Sequence, residues 1–458
     1  MGVFIGIMRS QRKKKKVKLN LSKFIPFLLV VIAVIGLVVI GVKTLFEKPI
    51  IIGGTGELAT KPAIEDNKPK EPTYETINIL CGGDVMAHMD QVETAKQEDG
   101  TYDFSDQFTF VSEYFKAADL SLINIETTFS GDGKYSGYPG FDSPDSLAKN
   151  VADMGIDVAL FANNHMLDTK LDGAKRTVEV LENAGMTVVG ARKDTADNRS
   201  AIVNVKGVKI GIVAYTYETD LVNGHRTLNG SAGSMDSAAD YINTFRYYKI
   251  EQDKKAIADE IAWCKQNGAT FVICYMHWGN EYKTTPSKED TALARYVAEQ
   301  GADIIFASHP HAVQKAEVME VGTFSEEKAT DGSVQIVSTS KTVPVFYSVG
   351  NFVSNQRTES LSKTYGEDKA RRSEEGIIAN VVVKVCTDDG TFSFEKVDYI
   401  PIWVDRMGKS GDYTYKVIPL VKDFETKYGD FLEKSSHSKR AKAALEEIKG
   451  IVNLVTTY

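Results

Sequence analysis

The chain has 458 residues, of which 43% are hydrophobic and 25% are charged. This composition supplies ample material for a packed core and excludes a chain that is disordered over most of its length. The net charge is −8, but residues 1–23 carry eight Lys and Arg residues and no acid, so the rest of the chain carries −16. Because the basic block flanks an apolar run, we expect a membrane surface and no nucleic acid as its partner.

The apolar run predicts a membrane anchor. Residues 24–42 contain no charged side chain, and as a helix they would span about 28 Å, close to the thickness of the hydrocarbon core. A cleaved signal peptide is the alternative, but the run is longer than a typical signal core and no small-x-small cleavage site follows it. The basic flank predicts a cytoplasmic N-terminus. We therefore expect a cytoplasmic tail over 1–23, a single-pass anchor in the cell membrane over 24–46 and an extracellular C-terminal domain.

The remainder of the chain has an α/β pattern. Residues 47–75 are rich in Gly, Pro and charged residues and predict a flexible linker. Beyond them, short apolar runs alternate with amphipathic helical patterns such as residues 171–181. This alternation predicts an α/β domain whose sheet is covered by helices. We place the domain at 76–405 and expect a partly helical extension over 406–458.

The cysteines predict no disulfide framework. They are scattered along the chain and form no CxxC pair. Because two of them lie in strand-like runs and a third lies on a helix pattern, we expect small buried apolar side chains. The four positions are Cys81, Cys264, Cys274 and Cys386.

Polar side chains follow successive predicted strands. In α/β sheets, ligands bind outside the carboxyl ends of the strands, so such residues are expected to converge on one site. Chance placement of polar residues on the protein surface explains poorly why each of six strand ends carries Asp, Glu, Asn or His. The residues are Asp84, Asn124, Glu126, Asn163, Asn164, His165, Asp168, His277, Glu281, His309, His311, Ser348 and Asn351.

Two of the seven histidines, His309 and His311, are one residue apart at the end of an apolar run. Since a strand alternates its faces, residues two apart point the same way, and both imidazoles could serve adjacent metal ions. Taken singly, each polar residue has a simpler explanation: Asp84 could cap a helix, Glu126 could be a loop acid, and a histidine could be a satisfied core residue. Four histidines at strand ends beside carboxylates favour a shared site.

The residue types indicate which metals would bind. The set offers imidazole, carboxylate and amide oxygen ligands and no thiolate. Nitrogen and oxygen ligands of this kind are typical of Mn, Fe or Zn sites. A structural zinc site of the cysteine type would instead use thiolates. Two divalent ions bridged by a carboxylate could activate water and hold an anionic group of a substrate.

Six motif blocks occur in order over roughly residues 76–355: "GDVM", "NIE", "ANNH", "HWGNE", "SHPHAVQ" and "YSVGNF". This series resembles the CapA family, the poly-gamma-glutamate capsule biosynthesis proteins of the metallophosphatase-like superfamily. The basic tail and anchor also look like those of membrane-bound members. The resemblance implies a layered αββα sandwich, in which two β-sheets are flanked by helices.

The resemblance also implies roles for the site residues. One metal ion would be held by Asp84, Glu126 and His311, and the other by Glu126, Asn164, His277 and His309. His165 would be the catalytic histidine, and Glu281 would be an acid at the rim. We expect contacts with the substrate from five further residues, Asn124, Asn163, Asn351, Lys283 and Lys341.

The sequence departs from the superfamily at two places. Phosphoesterases of the superfamily usually begin with Asp-x-His, but Met86 holds the third position here, and His88 lies four residues beyond Asp84. The block that usually carries a second Asp contains Glu126 as its only acid. A first metal site that lacks one imidazole is expected to bind its ion more weakly.

Three functions follow as alternatives. The resemblance implies a membrane-anchored protein of capsule synthesis and export, with an anionic polymer such as poly-gamma-glutamate and a membrane polymer synthetase complex as partners. A free-standing metal-dependent hydrolase, acting on a phosphoester or on an amide of polymer or cell wall, is the second. A non-catalytic scaffold is the third. An extracellular part at −16 repels an anionic polymer unless a local patch is positive, and the candidates are Lys283, Lys341, Arg357, Arg371 and Arg372.

Overall fold

The computed structural model describes residues 71–328 and 334–454, together with 456 and 458. The predicted tail, the predicted anchor over 24–46 and most of the predicted linker lie outside these residues. Within the described part of the chain, no helix is both long enough and apolar enough to cross a bilayer.

The described region contains helices and strands in alternation, as the sequence predicts. The strands are β1 (Tyr74–Val85), β2 (Leu120–Ile125), β3 (Val158–Leu160), β4 (Thr187–Val189), β5 (Ala201–Val205), β6 (Val208–Tyr217), β7 (Thr219–Val222), β8 (His225–Leu228), β9 (Ser231–Ala232), β10 (Thr244–Phe245), β11 (Phe271–His277), β12 (Ile304–Ser308), β13 (Ala316–Lys328), β14 (Val334–Phe346), β15 (Asn351–Val353), β16 (Glu375–Cys386), β17 (Phe392–Lys409) and β18 (Asp412–Pro419). The α-helices are α1 (Met89–Ala95), α2 (Ser112–Ala117), α3 (Ser146–Asp153), α4 (Lys170–Asn183), α5 (Ile250–Gln266), α6 (Lys288–Glu299), α7 (Thr358–Tyr365), α8 (Glu367–Arg372), α9 (Phe424–Lys427), α10 (Gly429–Ser435) and α11 (Ser438–Ile451).

Two large sheets form the centre of the fold. The first has the order β18-β17-β16-β1-β2-β3-β4, with β15 paired to β1, and the second has the order β10-β6-β11-β12-β14-β13, with β5 paired to β6. In the first sheet β1 to β4 are parallel, and in the second β6, β11, β12 and β14 are parallel. The carboxyl ends of each parallel set therefore lie along one edge of its sheet.

The sheets pack against each other in the middle of the molecule, and helices cover their outer faces. Alternate residues of the central strands, such as Ile79 and Ile212, belong to one apolar core that joins both sheets. The other face of the first sheet packs against α3 and α4, and the other face of the second packs against α5 and α6. The mixed α/β class predicted from the alternation is confirmed, and the layers follow the order helix, sheet, sheet, helix.

All four cysteines are buried and free of disulfide bonds, which confirms the expectation from their spacing. Burial raises the pKa of Cys264 to about 12, so this thiol stays protonated at neutral pH. The cysteines therefore contribute as small apolar side chains in the core.

The C-terminal segment completes the first sheet. The boundary that the sequence suggests between residues 405 and 406 falls inside β17, and β18 pairs with β17 from Ile402 to Lys409. Residues of α11, including Ile448, belong to the same core as β1 and β16. Because removing these elements would expose that core, residues 406–452 are part of the globular domain.

A buried ion pair attaches α11 to the loop that precedes β16. The Glu374 side chain is fully buried, and its Oε2 accepts a hydrogen bond from Nη2 of Arg440 at 2.6 Å. Oε1 of Glu374 accepts two more from the backbone N–H and the hydroxyl of Thr358, both at 2.8 Å, at the start of α7. The pair therefore links α11 to α7, which forms one wall of the cavity described below.

We predict that Arg440→Met lowers the free energy of unfolding by about 3 kcal/mol, because a buried carboxylate loses its cation. Chemical denaturation of the purified protein measures the change. The matched control on the same helix is Lys442→Ala, which removes an exposed ion pair with Glu425 and should cost less than about 1 kcal/mol. If both variants lost the same free energy of unfolding, the contact between Arg440 and Glu374 would contribute no more than an exposed ion pair.

Candidate functional site

The carboxyl ends of strands from both sheets meet at one buried cluster. Asp84 is the penultimate residue of β1 in the first sheet. The hydroxyl of Ser308, at the end of β12 in the second sheet, donates a hydrogen bond to Oδ1 of Asp84. Asn164 follows β3, and its Oδ1 lies 2.9 Å from Nε2 of His277 at the end of β11. Residues far apart in sequence are thus brought together, as the pattern of strand ends predicts.

Close backbone contact keeps β1 in position. A Cβ atom on Gly83 would lie 1.8 Å from the carbonyl oxygen of Gly350, a distance that no side chain allows. The absence of a side chain lets the N–H of Asp84 donate to that carbonyl at 3.2 Å. The "CGG" sequence before Asp84 therefore has a steric role in placing the carboxylate.

Two carboxylates are buried side by side, and one amide group separates them. Asn124 donates through Nδ2 to Oδ1 of Asp84 at 2.7 Å and to Oε2 of Glu126 at 3.1 Å. Burial, followed by the negative charge of Asp84, raises the pKa of Glu126 well above its usual range. Burial acts in the same direction on Asp84, but the hydrogen bond and charge of His311 and the hydrogen bond from Ser308 outweigh it and keep its pKa low. The two acids therefore favour different protonation states.

Three buried imidazoles surround the carboxylates. Burial lowers the pKa of His277 to about 3. Burial also lowers the pKa of His309 well below its usual value, and the neighbouring His277 and His311 add to this decrease. Burial also opposes the charged form of His311, but its hydrogen bond to Asp84 and the charge of that carboxylate raise its pKa. His277 and His309 are therefore neutral and have lone pairs available to a cation.

Two buried polar atoms at the centre have no hydrogen-bond partner, Oε1 of Glu126 and Nδ1 of His309. Oε1 of Glu126 lies 3.7 Å from Nε2 of His277 and 3.8 Å from Nε2 of His311, which is too long for hydrogen bonds. Unpaired polar atoms in a closed interior are costly unless something binds them. An ion coordinated by oxygen and nitrogen ligands fits these atoms.

The arrangement forms two ligand groups that share Glu126. One contains Glu126, His277 and His309, the other contains Asp84, Glu126 and His311, and within each group the ligand atoms lie within 4.8 Å of one another. These are the groupings expected from the resemblance, and Asn164 lies next to the first through its contact with His277. A shared carboxylate between two sets of ligands is typical of sites for two divalent ions.

His309 and His311 reach the cluster from a turn rather than from a strand. β12 ends at Ser308, and the two histidines have φ angles of +101° and +51°. Side chains other than glycine adopt this region at a cost of about 1–3 kcal/mol each. The alternation of strand faces therefore does not explain their placement. The turn puts their ring centroids 5.8 Å apart.

His165 lies beside the cluster and is held by an acid. Its Nδ1 lies 2.7 Å from Oδ2 of Asp168, and the same carboxylate accepts from the backbone N–H of Phe141 at 2.6 Å. Asn229 donates to Oδ1 of Asp168 at 3.3 Å and to the carbonyl of Pro139 at 3.1 Å. The carboxylate fixes the ring and leaves Nε2 as the nitrogen available for proton transfer.

Sequence reasoning placed Asp168 at the same strand end as His165 but gave it no role at the site, and it missed Asn229. Asn229 comes from the small sheet β7-β8-β9, inserted between β6 and β10, and its φ is +49°. No pattern of strand ends predicts a contact from such an insertion.

The predicted substrate ligands Asn124, Asn163 and Asn351 are fully buried and brace the cluster. Nδ2 of Asn163 donates to the carbonyl of Ile125 at 2.7 Å, and Oδ1 of Asn351 lies 2.9 Å from Nδ1 of His311. Their polar atoms are thus engaged within the protein. Lys283 is exposed.

Lys341 is not at the site. It lies inside β14, five residues before the end of the strand, and its ammonium contacts the Asp303 carboxylate at 2.7 Å. Asp303 precedes β12, so this contact is at the opposite end of the strands from His309. The sequence suggests a strand that begins after Lys341, but that apolar run is only the last part of β14. Lys341 was therefore wrongly predicted to lie near the site.

The other candidate cations are engaged in ion pairs. Arg357 is buried, with Nε 2.8 Å from Oε2 of Glu359. Arg372 contacts Glu447 at 2.6 Å, and Arg371 pairs with the same carboxylate. Each of these three arginines therefore has an acidic partner among the described residues, and none of them belongs to the metal-ligand cluster.

Next to the cluster lies a cavity of about 340 Å³. His165, His311, Met86 and Glu281 line it, so the cavity adjoins both the candidate metal ligands and the predicted catalytic histidine. The remaining lining residues are His88, Tyr138, Tyr282, Asn355, Gln356, Ser360, Leu361, Thr364 and Tyr365. A substrate group beside the cluster would enter this space.

His88 does not replace the imidazole that Met86 lacks. Its Nδ1 accepts a hydrogen bond from the backbone N–H of Asn355 at 3.2 Å. Burial lowers its pKa to about 3. His88 therefore belongs to the cavity wall, and neither ligand group contains it.

A two-sheet α/β domain with a carboxylate and imidazole cluster at its strand ends defines a candidate metal-binding protein. Residues 78–356 match the family model described as "Bacterial capsule synthesis protein PGA_cap". The match covers more than half of the chain, and the chain belongs to this family. The resemblance inferred from the six motif blocks is confirmed.

Curated relatives agree with the family match. The chain is 28% identical over 294 residues to the capsule biosynthesis protein CapA of Bacillus anthracis, covering 63% of this chain and 62% of the relative. It is 26% identical over 297 residues to the PGA biosynthesis protein CapA of Bacillus subtilis (strain 168), covering 63% and 66%. The match thus spans less than two thirds of each relative. A solved structure titled as a novel phosphatase of Mycoplasma pneumoniae aligns with a TM-score of 0.39 and 14% identity, over 72% of this chain and 95% of that one.

We predict that Asn124→Ala lowers the free energy of unfolding by about 2 kcal/mol in the presence of EDTA, because Asp84 and Glu126 lose their shared buried donor. Chemical denaturation measures the change. Asn183→Ala, at an exposed helix end, is the control and should shift stability by less than about 0.5 kcal/mol. An Asn124 variant as stable as the control would mean that the amide does not hold the carboxylates together.

Proposed function

We propose that this chain is a membrane-anchored, extracytoplasmic protein of capsule polymer synthesis and export whose globular domain carries out a metal-dependent hydrolytic step. The substrate is an anionic polymer such as poly-gamma-glutamate, or its precursor. The single observation that carries the proposal is the unpartnered Oε1 of Glu126, buried between His277 and His311.

Two divalent ions, drawn from Mn, Fe or Zn, fit the ligand types. Asp84, Glu126 and His311 would hold one ion, and Glu126, His277 and His309, with Asn164, would hold the other. Such ions supply an activated water and neutralise an anionic group. The neutral state of His277 and His309 supports this assignment, because a protonated imidazole offers no lone pair.

The chain's own residues supply the proton. His165 is oriented by Asp168 through Nδ1, so Nε2 is left to donate a proton to a leaving group. Asn229 donates a hydrogen bond to Oδ1 of Asp168. Oδ1 of Asn163 accepts a hydrogen bond from the backbone N–H of His165 at 3.1 Å. The imidazole is therefore constrained in both position and tautomer before a substrate binds.

The relatives support a role in polymer synthesis. Two are named for capsule or PGA biosynthesis, and a third, of Mycobacterium tuberculosis, is named a probable polyglutamine synthesis accessory protein, 28% identical over 213 residues that cover 44% of this chain and 52% of the relative. A basic tail followed by the apolar run at 24–42 supports a single-pass anchor over 24–46 with the domain outside the cell. A membrane polymer synthetase complex is the partner that this placement suggests.

We predict that the purified full-length chain binds Mn²⁺ at two sites and that His309→Ala loses at least one of them. The reason is that His309 contributes a buried imidazole to one ligand group. Metal analysis after gel filtration, together with calorimetry, measures the stoichiometry. His225→Ala is the matched control, because that histidine is exposed and pairs only with Asp236 in the described structure. Wild-type protein without metal, or a His309 variant that retains both ions, would contradict the metal site.

We predict that Asp168→Asn lowers kcat for hydrolysis by about 10²–10⁴-fold while bound metal stays unchanged. The substitution keeps the shape of the side chain but no longer holds the Nδ1–H tautomer of His165. Hydrolysis of a chromogenic phosphoester and of short poly-gamma-glutamate by the Mn²⁺-loaded chain measures it. Metal-loaded wild-type protein that cleaves neither would favour the scaffold alternative over an enzyme.

A further inference from the structure

The cavity beside the cluster has an aromatic and acidic wall. Tyr138, Tyr282 and Tyr365 line it together with Glu281. The rings of Tyr282 and Tyr365 are in contact, with centroids 4.5 Å apart. Burial raises the pKa of Tyr365, and the negative charge of Glu281 and the proximity of Tyr138 add to the increase. The four side chains thus converge on one volume.

The same wall contains no strong cation. None of the described residues that line the cavity is Lys or Arg. The nearby Arg357 is paired with Glu359. His88 is a neutral imidazole, because its Nδ1 accepts the backbone N–H of Asn355 and so carries no proton. His311 also lines the cavity, at its cluster end, but its positive charge is paired with Asp84, whose Oδ2 lies 3.2 Å from its Nδ1. A carboxylate or phosphate held against the tyrosines would therefore meet the unpaired charge of Glu281.

We propose that this cavity binds an organic ammonium group, held by the carboxylate of Glu281 and the faces of Tyr138, Tyr282 and Tyr365. Aromatic faces carry negative electrostatic potential and attract ammonium groups, which is the basis of aromatic cages. Glu281 is exposed at the rim, where it also attracts a cation from solution.

For the anionic group of the substrate, this inference rests on the proposed function, in which that group binds at the metal cluster. His311 lines the cavity and belongs to a candidate metal group, so a ligand can reach from one to the other. An anionic group would bind at the cluster, and the ammonium would lie against the tyrosines. The substrate class is therefore a zwitterion, such as an amine-bearing end of the polymer or of its precursor.

The test compares three small probes of equal chain length, butylammonium, 1-butanol and butyrate, by NMR titration of the full-length chain in EDTA, where no metal ion is present to bind butyrate. We expect the Kd of butylammonium to be at least about fivefold lower than that of 1-butanol, and butyrate to bind most weakly. Equal binding of butylammonium and 1-butanol, or tighter binding of butyrate, would overturn the proposal.

Substitutions of residues that line the cavity test whether butylammonium binds there. Glu281→Gln and Tyr365→Leu should each raise the Kd of butylammonium about fivefold, whereas Tyr365→Phe keeps the ring and should leave it within about twofold. Glu289→Gln, at an exposed position on α6, is the matched control for removal of a surface charge. Butylammonium binding that none of the cavity variants weakens would overturn the proposal, and circular dichroism checks that each variant is folded.

Titrations in EDTA and in Mn²⁺ separate this inference from the metal proposal. Binding of butylammonium that persists in EDTA and depends on Tyr365 supports the cavity even if no metal binds. A chain that binds two Mn²⁺ ions but does not prefer butylammonium to 1-butanol overturns the cavity inference alone.

Discussion

The burial of Asp84 and Glu126 against each other is the interaction on which the rest of the site depends. Two carboxylates removed from water repel each other, so both can be ionised only with a compensating charge nearby; in line with this, the pKa of Glu126 is raised and that of Asp84 is lowered. Asn124 supplies one shared donor, and His311 supplies one proton. The remaining oxygen of Glu126 is left without a partner. A bound cation, as proposed above, would fill this gap and would explain why the strained backbone of His309 places its imidazole beside it.

The fold makes this burial possible because the carboxyl ends of two separate parallel sets of strands meet. Neither sheet alone holds the cluster: Asp84 and Asn124 come from the first sheet, and His277 and Ser308 come from the second. Gly83 permits the backbone of β1 to approach Gly350. The C-terminal strands and α11 extend and cover the first sheet, so the segment that the sequence suggested as an extension stabilises the layer that carries the acids.

Much of the cluster could be predicted from the sequence because the sheet itself places the polar residues at or just beyond the ends of its apolar strands. Asp84, Glu126, His277 and Asn164 follow that rule, and the structure brings them together. Lys341 does not, because a local run cannot show that β14 begins at Val334 and that the lysine lies in its interior. Asn229, Tyr138 and Tyr365 come from an inserted small sheet, a long loop and a late helix, and their positions depend on tertiary packing rather than on periodicity. The turn at His309 and His311 required φ angles that no residue pattern indicates for histidine.

Anomalous diffraction from crystals of the Mn²⁺-loaded protein tests the central claim most directly. The account predicts two peaks, one on each side of the Glu126 carboxylate, with His277 and His309 beside one and Asp84 and His311 beside the other. Peaks confined to surface acids, or no peak at Glu126 in protein whose fold is intact, would contradict it.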